Sequence, residues 1–217
     1  NSTDTDSGPT ARGLITLNKK SGCKIQGLQI DGNKATYTAS YNYGIYLSSS
    51  NNNTITGNTC NNNNYGIYLA IYLVSSSIDN TITGNTCNNN NYGIYLSLSN
   101  NNTVTGNTCN NNSNYGIRLS SSNNNTITGN TCNNNNNYGI YLSLSSIDNT
   151  VTGNTCNNNS YGIYLSSSNN NTVTGNTCNN NNYGIYLSSS NNNTITGNTC
   201  NNNSNYGIRL SSSNNNT

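Results

Sequence analysis

Apolar residues are sparse along this chain, and they recur in register. Gly-Ile-Tyr/Arg-Leu starts at Gly44, Gly66, Gly93, Gly116, Gly139, Gly162, Gly184 and Gly207. A second block, Asn-Thr-Ile/Val-Thr-Gly-Asn-Thr-Cys or its Asp-Asn-Thr variant, ends at Cys60, Cys87, Cys109, Cys132, Cys156, Cys178 and Cys200. Successive cysteines are 27, 22, 23, 24, 22 and 22 residues apart. In the unit from Gly44 to Tyr65, Ile45 and Leu47 flank Tyr46 and share one face of a strand. Ile55 between Thr54 and Thr56 repeats the alternation, and Thr59-Cys60 predicts a third short strand. Residues 48–53, 57–58 and 61–64 separate them and are rich in turn formers. No stretch has the 3.6-residue apolar period of a helix.

Three strands and three turns per unit predict an all-β fold, a solenoid of parallel sheets with about eight coils of 22–24 residues. Ile, Leu, Ile/Val and Cys point inward, Tyr and Thr outward, and neighbouring coils lie ~4.8 Å apart. One coil buries too little to offset the ordering of its backbone, so each needs coils above and below. The amino-terminal segment shares the register. Leu17 precedes Ile25 as Leu47 precedes Ile55, Ile30 takes the Cys60 position, and Cys23 aligns with Asn53. Residues 1–12 form a polar leader and 13–217 the solenoid, expected to continue beyond Thr217. Insertions at 31–42 and 70–74 break the period.

Composition narrows the chemistry. The chain holds 59 Asn, 30 Ser and 28 Thr among 217 residues, which alone would suggest a low-complexity tract. The register of the apolar residues argues for a folded array instead. There is no His and no Glu, so Ser-His-Asp relays and His-based metal sites are missing. Seven basic residues and a net charge of +2 give no footprint for nucleic acid, and no apolar run makes a membrane span. Of five Asp, only Asp79 and Asp148 share a repeat position. They lie three coils apart, ~14 Å, beyond the ~5–9.5 Å of a glycosidase pair. The expectation is therefore no catalytic residue, no metal and no cofactor: not an enzyme. The seven ladder cysteines run in a line rather than around a point, which excludes tetrahedral thiolate coordination and makes them buried free thiols.

Four further patterns stand out. Asn58, Asn85, Asn107, Asn130, Asn154, Asn176 and Asn198 follow Gly at one corner and suit a stacked amide ladder. Tyr46, Tyr68, Tyr95, Tyr141, Tyr164 and Tyr186, with Arg118 and Arg209 substituting, form an outward stripe, a candidate face for a ligand or partner. Thr-x-Thr pairs such as Thr54/Thr56 and Thr126/Thr128 make a flat hydroxyl array similar to ice-binding faces. Sequons at Asn52, Asn101, Asn111, Asn124, Asn158, Asn170, Asn192, Asn202 and Asn215, with Asn1 in the leader, are candidate glycosylation sites if the chain is exported.

The Asn-x-Ile-x-Gly-Asn-x and Gly-Ile-x-Leu blocks resemble the right-handed parallel β-helix repeat over residues 13–217. This is the pectin-lyase-like fold in its NosD-type, carbohydrate-binding and sugar-hydrolase branch. The resemblance implies a fold used by pectin and alginate enzymes, by periplasmic factors for copper-enzyme maturation and by surface proteins of anaerobic archaea and bacteria. It is specific for fold and poor for function. The resulting expectation is a non-enzymatic structural or adhesive element, extracellular or on the cell surface. Its partners would be other copies of itself, arranged head to tail or laterally, other surface proteins, or glycans. The alternative is a carbohydrate-binding module using the Tyr/Arg face. Ice binding through the Thr pairs is a third reading.

Overall fold

The computed structural model describes residues 12–32, 42–70 and 77–217. Most of the leader, with Asn1, Asp4 and Asp6, and the centres of both insertions lie outside the described residues. Within them the chain is a parallel β-solenoid of about seven turns without helix, close to the expected coil count.

One nine-stranded sheet runs from Arg12–Asn18 to Tyr206–Ser211 and carries every Gly-Ile-Tyr/Arg-Leu block. An eight-stranded sheet runs from Lys24–Gln26 to Thr194–Thr196 and carries the Thr-Ile/Val-Thr triplets. Pairing is in register: Ile117 lies beside Ile140, Leu119 beside Leu142 and Thr126 beside Thr150. The amino-terminal alignment holds, with Leu17 beside Leu47, Ile25 beside Ile55 and Ile30 beside Cys60.

The third strand is shorter than expected. It pairs as a strand only between Gln29–Asp31 and Thr59–Asn61, then continues as single bridges from Thr59–Thr86 to Thr177–Thr199. The second residue after each cysteine, such as Asn134 (φ 56°), enters the left-handed region, where Asn is tolerated, and bounds the third segment in every coil, the paired Thr59–Asn61 included.

The core is one continuous column. Ile45, Leu47, Ile55 and Cys60 are fully buried, as are Ile140, Leu142, Val151 and Cys156 four coils on. Amide ladders at the corners close it. Asn130 donates from its backbone N–H (2.9 Å) and its side-chain amide (3.0 Å) to Oδ1 of Asn154, and the Nδ2 of Asn154 donates in turn to the Ile127 carbonyl (2.9 Å). The other two corners carry ladders of the same kind through Asn53, Asn80 and Asn102, and through Asn63, Asn90 and Asn112. Burying so many amides is tolerable because neighbouring coils satisfy them.

Candidate functional site

The outer face of the nine-stranded sheet is built by one glycine per coil. In Tyr138-Gly139-Ile140-Tyr141 strict alternation would put the two tyrosines on opposite faces. Pairing is interrupted at Gly139, whose absent side chain faces inward: a Cβ there would lie 2.6 Å from the Gly162 carbonyl oxygen and 2.8 Å from the Cys156 Cβ. Gly139 and Ile140 thus both turn to the core, and Tyr138 swings to the side of Tyr141, with ring centroids 4.7 Å apart. Repetition in each coil yields two tyrosine columns rather than one.

The first column, Tyr43, Tyr65, Tyr92, Tyr115, Tyr138, Tyr161, Tyr183 and Tyr206, was not singled out from the sequence. It is unbroken, each ring stacked on the next at 4.6 to 5.9 Å. The second contains the tyrosines expected to face outward, with neighbours such as Tyr68 and Tyr95 at 4.9 Å and Tyr141 and Tyr164 at 5.1 Å. Arg118 fills one vacancy in it. Its guanidinium lies 5.0 Å from the Tyr95 ring centre, 5.2 Å from Tyr115 and 5.6 Å from Tyr141, and its Nε is buried without a hydrogen bond. Arg209 repeats the arrangement with Tyr183, Tyr186 and Tyr206. Cation–π attraction holds both charges among the rings. Tyr46 and Tyr186 belong to the same array, stacked on Tyr43 and Tyr183. Burial, reinforced by neighbouring tyrosines, pushes the Tyr138 hydroxyl up to about 12 and raises that of Tyr68 further.

The other candidates lie elsewhere. The thiols of Cys60, Cys87, Cys109, Cys132, Cys156 and Cys178 are sealed inside, and that of Cys200 is half-buried. All are free, and burial holds the Cys132 thiol well above its ordinary range, aided by hydrogen bonds to Cys109 and Cys156. Among the described residues no three potential ligands converge on a point. Asn52, Asn101, Asn111, Asn124, Asn158, Asn170, Asn192, Asn202 and Asn215 are all exposed at turns, with φ from 54° to 59°. Asp79 and Asp148 sit at equivalent left-handed turns in different coils. The threonine pairs cover the outer face of the eight-stranded sheet in two straight columns.

A model of the right-handed β-helix region matches residues 12–178, and the chain belongs to that family. A second model, periplasmic copper-binding protein (NosD), matches residues 143–217. The cysteines of that segment, Cys156, Cys178 and Cys200, stand in one file, the last of them half-buried. No curated protein matches the sequence. Among solved structures, the A-module of mannuronan C-5 epimerase AlgE6 from Azotobacter vinelandii superposes with TM-score 0.81 at 17% identity, covering 91% of this chain and 57% of that one. The Dettilon tailspike protein gives 0.76 at 19% over 88% of this chain and 42% of that one. A variant of the periplasmic alginate epimerase AlgG gives 0.69 at 19% over 91% and 60%. The chain thus spans little more than half of these structures or less.

These likenesses correct one expectation. The chain was read as not an enzyme because no carboxylate pair is close enough. That spacing argument concerns glycoside cleavage alone. Epimerases share this fold, and moving a proton at carbon can use other acid–base groups, tyrosine included. The lack of a dyad therefore does not exclude catalysis.

Proposed function

We propose that the chain is an extracellular or periplasmic β-helix segment that adheres to polysaccharide along its Tyr/Arg face. The observation that carries this reading is the double tyrosine column with Arg118 and Arg209 set into it. Among the described residues it is the outer surface that combines aromatic bulk, hydrogen-bonding groups and positive charge. The rings stack on one another, so an extended sugar chain meets their edges, their hydroxyls and the two guanidinium groups rather than open ring faces. Arg118 and Arg209 lie four coils apart, ~19 Å, which suits a long polymer better than a single sugar. Further support comes from the fold's other users, which include epimerases of mannuronan and alginate and a phage tailspike.

The test is co-sedimentation and affinity electrophoresis with mannuronan, alginate, pectin and cellulose. The expected result is retention by at least one polymer, weakened about tenfold or more by Arg118→Gln combined with Tyr141→Ser, a loss of about 1.4 kcal/mol or more. Thr128→Val on the opposite sheet should leave it unchanged. Equal weakening by the two variants, or no retention by any polymer, would overturn the assignment. Nuclear magnetic resonance of the recovered polymer shows in the same experiment whether its sugar configuration has changed.

A further inference from the structure

The tyrosine columns bring phenols closer together, and in greater number, than cohesion of a sheet face requires. Tyr65 and Tyr92 stack at 4.6 Å with 13° between their planes, and Tyr138 and Tyr161 at 5.0 Å with 19°. Parallel strands hold their backbones at the same ~4.8 Å, so each ring already has a second phenol as its nearest reactive neighbour. The rings from Tyr65 to Tyr183 are half-buried, whereas the ladder thiols from Cys60 to Cys178 lie fully buried behind the sheet, which leaves Cys23 and Cys200 as the partly exposed thiols that compete for an oxidant.

We propose that this face is a site of oxidative coupling, where hydrogen peroxide with a peroxidase joins tyrosines one coil apart as dityrosine. Each of two phenols loses one electron and one proton. The two radicals then couple through the ring carbons beside their hydroxyls. Two C–H bonds are lost and one C–C bond forms, and the two electrons and two protons reduce one hydrogen peroxide to two waters. The product is a covalent staple between neighbouring coils, parallel to the axis. Arg118 sets a limit. It separates Tyr95 from Tyr141, which lie two coils apart, so coupling past this coil runs through Tyr115, from Tyr92 on one side to Tyr138 or Tyr141 on the other.

The experiment treats the 217-residue chain with peroxidase and hydrogen peroxide over a dilution series. It follows dityrosine fluorescence, chain size on denaturing gels, free thiols, and cross-linked peptides by mass spectrometry. Expected are fluorescence per chain independent of dilution, chains that stay single, buried thiols that survive, and joined peptides containing Tyr65–Tyr92 or Tyr138–Tyr161. No Tyr95–Tyr141 product should form. Replacing Tyr138 and Tyr161 together by Phe keeps the stacked rings and should abolish every product that needs either phenol, Tyr115–Tyr138, Tyr138–Tyr161 and Tyr161–Tyr183, while Tyr65–Tyr92 still forms, with an unchanged circular dichroism spectrum. Photo-oxidised ruthenium tris-bipyridine should give the same pairs, which separates ring geometry from access of the peroxidase. Coupling that vanishes on dilution, consumption of buried thiols without dityrosine, or pairs scattered without regard to coil order would each overturn the proposal.

Discussion

The two large sheets of this solenoid obey one pairing rule and present opposite surfaces. In the eight-stranded sheet each strand has three residues, Thr-Ile/Val-Thr in all but the first, with one side chain in and two out. In the nine-stranded sheet each strand is twice as long, and one glycine turns two successive residues inward, so two large rings share the outside. The same stacking distance therefore yields a flat field of small hydroxyls on one side and a double file of aromatic rings on the other. The backbone repeat sets spacing, and a single residue without a side chain decides which face carries bulk.

That contrast is easiest to break at the glycines. Gly139→Val puts carbons against the Gly162 carbonyl and the Cys156 side chain. It should cost about 3 kcal/mol or more and melt the neighbouring coils. Gly153, at the turn after a threonine strand, has φ 63° and open space around it. Gly153→Ala there should cost only about 1–2 kcal/mol, the strain of a left-handed alanine. Chemical denaturation of the two variants checks the ratio.

Alkali should act first through the buried thiols and then through the aromatic face. Tyr138 holds its proton more tightly in the folded chain, up to about 12 against an ordinary ~10, because burial and nearby tyrosines disfavour the phenolate. Its contribution to stability is intact below pH ~10 and is lost as pH rises through about 12. The Cys132 thiol, held above its ordinary ~8.5 in the folded chain, loses its contribution as pH rises past that value, so unfolding midpoints should begin to fall there and fall more steeply above pH ~10, while tyrosine absorbance titrates above its unfolded range. Midpoints that stay level through that second limit would contradict this.

The smallest contrast lies in single side chains. Tyr141→Ala removes stacking with Tyr115, Tyr138 and Tyr164, ring pairs worth about 0.5–1.5 kcal/mol each, and should cost roughly 1–3 kcal/mol. Thr152→Ala on the other sheet should stay within about 0.5 kcal/mol. Thermal melts of the pair measure the difference.

Much of this could be read directly from alternation. Ile45, Leu47, Ile55 and Cys60 follow the period-two rule, and the structure buries all four. The first tyrosine column could not be read that way. Tyr43 and Tyr46 stand three apart, and alternation assigns them opposite faces. Only the crowding around Gly44, where a Cβ would meet the Gly66 carbonyl at 2.6 Å, shows why they share one. The recurring Tyr-Gly pair was the available signal, because a glycine inside a strand often marks a bulge or a close approach of backbone. The corner amides were legible in part. Asn58 stands out beside a glycine, whereas Asn53 and Asn63 are hidden among identical neighbours and differ from them only in the way the turn points them. Function was the least legible, since the same repeat serves several unrelated activities.

The corner amides also bear on how such a chain changes over generations. Each asparagine of a ladder bonds to the coil before, the coil after and at most its own turn, as Asn107 does to the Thr105 carbonyl, and all coils offer the same groups. Removing one whole unit, such as residues 162–183, would bring Tyr161 directly before Gly184 and leave every remaining amide with a partner of the same kind. Length is thus a nearly neutral trait here, adjustable in steps of ~4.8 Å by unequal recombination between near-identical stretches of gene. Irregular positions such as Arg118 and Asp148 serve as landmarks that tell one coil from the next, and a lineage can shift them along the rod without redesigning it.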